Sequence, residues 1–251
     1  MTAEQRPAVL DLFANIGELP FGEQCVEFIY GRLYHRPGLS LPERQLATIG
    51  ALTTLGYAAS QLQFHAKAAV NLGCTQQQVI EAVIQVSSFA GFPAVLNALM
   101  ALKEAFADSE DSADGADGDE PRWSHIEDRY QRGLAAMAEI DGDAGTKVVE
   151  AMQDVAPDLA RYIIEFTFGE IYPRPRLSLK HREIVTIAAC AALGTALPQL
   201  KVHVNGLLNV GGSQQEVVET LLHLVFYIGF PAVLNAIAAA REVFTQRVNH
   251  Q

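Results

Sequence analysis

Along most of the chain, apolar positions recur every three or four residues and are interrupted by glycine and proline, with no sustained apolar–polar alternation, so the pattern predicts helices and no strands. A first helix ends near Arg36-Pro37, and Ser40 then stands where an N-cap belongs, with Glu43 placed for a capping box. A helix over Leu41–Leu55 follows and stops at Gly56; another carries Gln61, Leu62 and His65 and closes at Gly73. Thr75 and Gln78 open the next, which stops at Gly91 because Pro93 cannot continue it, and a last helix runs to Phe106. The same punctuation returns at Arg174-Pro175, Ser178, Leu179–Leu193, Gly194, His203, Gly211, Ser213, Glu216, Gly229, Pro231 and Phe244.

The return is a true repeat. An offset of 138 residues aligns Phe28–Phe106 with Phe166–Phe244 without a gap, with 35 of 79 positions identical, and GFPAVLNA recurs whole at Gly91–Ala98 and Gly229–Ala236. The expected organisation is a first helical repeat over residues 1–106, an acidic linker over 107–121 and a second repeat over 122–251. The linker has too little apolar surface to offset its ordering entropy and is read as disordered.

Composition narrows the class. At 49% apolar and 19% charged the chain reads as a soluble globular protein, and no apolar run or leader-like N-terminus suggests a membrane or export, so a cytoplasmic location is expected. Seven of the acids behind the net charge of −11 lie within 107–121, leaving about −4 elsewhere, which argues against nucleic acid as a partner. Cys25, Cys74 and Cys190 are odd in number and far apart, which disfavours both a disulfide framework and a thiolate metal cage.

The segments RPGLSLPERQLATIG, QLQFHAKAAVNLG and GFPAVLNA, with RPRLSLKHREIVTIA, QLKVHVNGLLNVG and GFPAVLNA, resemble the carboxymuconolactone decarboxylase family. The resemblance implies an all-α, AhpD-like helical fold in two tandem copies. The second copy is the closer match, through Arg129-Tyr130 with Gly133, FGEIYPRP and LLHLVFYIG. Thiol peroxidases of this superfamily carry Cys-x-x-Cys with a histidine four residues on; Ala58 and Gln61 precede His65, and Ala196 and Gln199 precede His203, so peroxidase chemistry is disfavoured.

The resemblance also implies a decarboxylase or isomerase acting on a small carboxylated, unsaturated lactone. Such a substrate absorbs the electrons left by carbon dioxide itself, so no cofactor and no metal is expected. His203 is the first candidate for acid or base, with His65 as its counterpart; each could equally be a core histidine. His223 and Glu170 occur only in the second copy, where Gln85 and Arg32 are the first-copy equivalents, and both join the catalytic candidates. Arg182 and Arg44 are candidate carboxylate binders or structural ion-pair partners. Tyr227, one turn beyond His223, and Tyr172, within FGEIYPRP, complete the substrate-binding candidates. The competing reading is a noncatalytic small-ligand binder or scaffold. Single-copy relatives commonly assemble as trimers or hexamers, so the fused chain is expected to form a homotrimer, a pseudo-hexamer of repeats.

Overall fold

The computed structural model describes residues 9–107 and 120–249, and every regular element among them is helical. Most of the expected linker therefore lies outside the described residues. Two compact units are present, one ending at Gly38 and one beginning at Leu39.

In the first unit, α1 (Val9–Asn15) is followed by α2 (Leu19–Val26), which runs on as a π-helical stretch over Glu27–Leu33. Gly22 makes the contact possible: a Cβ there would lie 2.6 Å from the Phe13 ring, which also meets Phe21 edge-on at 5.8 Å.

The second unit holds α3 (Leu41–Leu55), α4 (Ala59–Asn71), α5 (Gln76–Gln85), α6 (Ser87–Ala105), α7 (Arg129–Ile140), α8 (Asp143–Glu150), α9 (Pro157–Tyr162) with a π-helical continuation over Ile163–Ile171, α10 (Leu179–Leu193), α11 (Leu197–Asn209), α12 (Gln214–His223), α13 (Val225–Ile228) and α14 (Phe230–Asn249). The caps form as the sequence predicts. Ser40 with Glu43, Thr75 with Gln78 and Ser213 with Glu216 make complete capping boxes, and Gly56 and Gly194 close their helices in the left-handed region. Two boundaries differ: the fourth helix of each repeat breaks early, at Val86 and at Leu224, and α14 continues past Phe244 to Asn249. Gly91 and Gly229 mark kinks at φ 79° and 84°, just before the prolines.

Helices α3 and α10 pack on one another at the centre. They approach so closely that a Cβ on Gly50 would lie 2.9 Å from the Val185 carbonyl oxygen. Nearly every residue from Glu43 to Thr53 and from Arg182 to Ala191 is buried, so both helices are lined on all sides. The larger core mixes the repeats, with Leu177, Val185 and Ala189 packed among Leu46, Leu62, Val83 and Leu102. Equivalent residues of the two repeats cross over in the same way. Arg44 reaches Glu219 at 3.2 Å, and Arg182 reaches Glu81 at 2.8 Å, so each arginine pairs with the glutamate supplied by the other repeat.

Candidate active site

The central helices carry Gln45 and Glu183 at equivalent positions, and each meets the histidine of its own repeat. Gln45 Oε1 is 2.8 Å from His65 Nδ1, and Glu183 Oε2 is 3.0 Å from His203 Nδ1. Each imidazole is then faced edge-on by an aromatic ring from the other repeat, His65 by Tyr227 and His203 by Phe89, both at 5.2 Å between ring centres.

The amide-for-carboxylate difference sets the chemistry. Burial pushes His65 down to about 4, so it is a neutral imidazole whose Nδ1–H donates to the Gln45 carbonyl. Burial would lower His203 too, but the charge and hydrogen bond of Glu183, with the charge of Asp141 behind it, outweigh that and raise it. Tyr172, fully buried, donates its hydroxyl to Glu183 Oε1, so both oxygens of Glu183 are engaged and the His203 ring is held in one orientation.

His203 also borders a cavity of about 170 Å³ lined by Ser88, Phe89, Met137, Asp141, Gly145, Val148, Val149, Ile163, Thr167, Phe168, Gln199 and Val202. The wall is mainly apolar and built from both repeats; Thr167 donates to Ser88 across the join at 3.1 Å. Neither lysine nor arginine lies in this lining. Asp141, at the end of α7, completes a trio with Glu183 and His203 whose donor atoms all fall within 4.8 Å of one another, a spacing compatible with chelating a divalent cation. Space for the trio comes from Gly206, where a Cβ would stand 2.6 Å from Glu183 Oε2 and 3.2 Å from Asp141 Oδ1.

Of the residues singled out in the sequence, the structure brings together His203 and Tyr172 through Glu183. His65, His223 and Tyr227 form a separate group: Tyr227 contacts both imidazoles, and His223 Nε2 lies 2.8 Å from Thr48 Oγ1. Since the Thr48 hydroxyl donates to the Arg44 carbonyl, Nε2–H of His223 is the donor to Thr48, and burial, then Arg44 and His65, push that histidine down to about 3. Glu170 borders a different groove and pairs there with Arg129 and Arg132 at 2.5 and 3.3 Å. Arg44 and Arg182 are fully buried, and neither borders the cavity. Arg182 donates to Glu81, to Gln85 and to the Arg174 carbonyl, so the ion-pair alternative describes its setting.

Glu183 and Asp141 were not singled out in the sequence. For Glu183 a signal existed: it precedes His203 by the same 20 residues that separate Gln45 from His65, so a polar pair recurs at one spacing in both repeats.

Comparison with known proteins identifies the family. The model of the carboxymuconolactone decarboxylase family matches twice, over residues 20–104 and 157–242. The chain is 35% identical to 4-carboxymuconolactone decarboxylase of Acinetobacter baylyi over 119 residues, 47% of this chain and 88% of that protein. It is 33% identical to an uncharacterised 15.0 kDa protein of Paracoccus denitrificans over 99 residues, 39% of this chain and 74% of that one. Nitrosuccinic acid decarboxylase of Metarhizium robertsii is 29% identical over 96 residues, 38% of this chain and 66% of that enzyme. The chain belongs to the carboxymuconolactone decarboxylase family, as a tandem repeat with an all-α fold.

Proposed function

We propose that the protein is a carboxy-lyase that releases carbon dioxide from a small carboxylated, unsaturated lactone or a related keto acid in the cavity bordered by His203, without an added cofactor. The observation that carries this reading is the Glu183–His203 pair on a cavity wall, set against the Gln45–His65 pair of the other repeat. With Nδ1–H held by Glu183, Nε2 is the nitrogen left to exchange a proton with substrate. The carboxylate leaves as carbon dioxide, its bonding electrons pass into the conjugated carbonyl, and the imidazolium returns a proton to the carbon; solvent then reprotonates the ring. The mainly apolar wall favours a charged acid losing its charge. Two relatives named as decarboxylases support the reaction class.

In this account the repeats over 1–106 and 122–251 have diverged, with turnover at the second and the first serving to wall the cavity through Ser88 and Phe89. We further place the chain in the cytoplasm as a homotrimer. Exposed Phe92 and Leu96 on α6 recur as exposed Phe230 and Leu234 on α14, which suits repeat-to-repeat contacts between copies, and no described helix is long and apolar enough to cross a membrane. The test is carbon dioxide release from a panel of unsaturated lactone acids by the purified protein. His203→Gln should abolish it and His65→Gln should spare most of it; the opposite pattern would move the reaction to the first repeat, and no release from any lactone or keto acid would favour a binding protein.

A further inference from the structure

The cavity wall holds one buried acid that the proton transfer at His203 does not use. Asp141 is only 5% exposed and, among the described residues, its Oδ1 has no hydrogen-bond partner. The backbone turns it inward: Asp141 N–H and Gly142 N–H both donate to the Met137 carbonyl, at 2.8 and 3.2 Å, and Gly142 takes φ 55°.

We propose that Asp141, Glu183 and His203 form a binding site for one divalent transition-metal ion of the zinc and cobalt kind, and that an ion seated there blocks the reaction by occupying the histidine nitrogen that faces Glu183. The binding site stands on geometry alone; only the inhibition rests on the lyase reading.

The donor set comes first. The end of α7, the helix α10 and the helix α11 each supply one ligand atom, and all three atoms lie within 4.8 Å of one another. One imidazole nitrogen with two carboxylate oxygens suits zinc, cobalt or manganese, whereas magnesium and calcium favour oxygen alone. His203 Nδ1 is already 3.0 Å from Glu183 Oε2, and an ion between them would replace the hydrogen that joins them. Asp141 Oδ1 turns to the same spot: a Cβ on Gly206 would stand 2.6 Å from Glu183 Oε2 and 3.2 Å from Asp141 Oδ1. Charge points the same way, because two carboxyl groups are buried side by side with neither lysine nor arginine in the cavity lining, and one divalent cation neutralises both.

The surroundings suit an ion as well. Tyr172 donates to Glu183 Oε1 from behind, which fixes the orientation of the carboxylate and leaves Oε2 for the ion. The cavity borders both Asp141 and His203 and reaches the surface where Val148 and Gln199 are exposed, so it gives an ion a way in and water a place to complete the coordination. The first repeat has the neutral amide of Gln45 where the second has Glu183, and Ala68 where the second has Gly206, so one site per chain is expected.

On binding, the bond between Nδ1 and the ion forms and the Nδ1 proton passes to solvent. The metal-free imidazolium becomes a neutral ring when it gives up its Nε2 hydrogen. The metal-bound ring is neutral already, and the same step would leave an imidazolate, so it no longer serves as the acid. The reaction gains nothing in exchange, since its electrons pass into the substrate.

The test uses the full chain, freed of metal by chelation. Calorimetric titration with zinc should show one ion per chain, cobalt should bind with visible d–d absorption, and magnesium should not compete. Asp141→Asn should weaken zinc at least about tenfold, since even an outer partner of a ligand is worth that much, while His65→Gln leaves it unchanged. Nitrogen-15 NMR of the histidine rings reads the site without any substitution: zinc should shift His203 Nδ1 and leave His65 alone. No stoichiometric binding, binding that a folded Asp141→Asn protein retains, or a zinc shift confined to other histidines overturns the site and marks the ion as adventitious. Carbon dioxide release should fall as zinc fills the site and return with chelator; turnover unchanged or raised by the bound ion overturns the inhibition. Zinc bound at His203 in a protein that decarboxylates nothing would sink the lyase reading and leave the site standing.

Discussion

Gly206→Ala is the smallest change that separates the site from the fold. The added Cβ would sit 2.6 Å from Glu183 Oε2, so that carboxylate must retreat by about 0.8 Å to reach an ordinary 3.4 Å contact. Glu183 can move only by leaving His203 Nδ1, 3.0 Å away, or Tyr172. For stability, overpacking at a cost of about 1–3 kcal/mol works against a helix-propensity gain of about 1 kcal/mol for alanine over glycine, so the net loss should be no more than about 2 kcal/mol. Turnover should fall much further, because a misplacement near 1 Å at the reacting groups is worth about a hundredfold. The reciprocal change, Ala68→Gly in the first repeat, should cost about 1 kcal/mol of stability and leave turnover alone. Urea unfolding and carbon dioxide release, run on both variants with histidine NMR to follow the His203 titration, read the two effects separately. Wild-type turnover and an unshifted His203 in a folded Gly206→Ala protein would refute the argument that Glu183 governs the imidazole.

Other outcomes follow from the same contacts. Asp141, raised from an ordinary 3.8 to about 7, keeps its proton longer folded than unfolded, so its ionisation destabilises the native state progressively between pH 4 and 7. Asp141→Asn should therefore gain stability relative to wild type at pH 8 but little at pH 4, by up to about 4 kcal/mol at 1.36 kcal/mol per unit, measured by urea unfolding at both values. Arg182→Met should lose about 3–5 kcal/mol in the same assay, because Glu81 stays buried with only Arg174 beside it. If the proposed trimer forms through α6 and α14, Leu96→Glu combined with Leu234→Glu should yield single chains by light scattering, with helicity by circular dichroism unchanged; a light-scattering mass unchanged from wild type would contradict that interface.

Much of the fold was legible in residues that act locally. Serine, threonine and glycine punctuate the repeats where backbone groups need a cap or a left-handed turn, and α3 and α10 have the bounds that this punctuation predicts. The site was less so, because its geometry is made between repeats. Arg182 and Glu81 lie 101 residues apart and meet only when α10 packs against the first repeat, so an arginine read as a substrate clamp and one read as an ion-pair partner look alike in sequence. His223 was grouped with His203 by membership of one repeat, whereas the crossover places it beside His65 and Tyr227. Asp141 sits in a short DGD turn that resembles any solvated helix end; only the inward turn at Gly142 and the space at Gly206 show that it is buried.

The imidazole of the second repeat is raised, and that of the first lowered, because a carboxylate stands where the first repeat has an amide. Glu183→Gln installs that first-repeat partner, and nitrogen-15 NMR of the histidine rings reads the result directly. The His203 transition, raised in the wild type, should drop below the ordinary histidine range, as burial drives His65 down to about 4, with carbon dioxide release falling in parallel. A His203 transition that stays where it was, with turnover intact, would contradict the account.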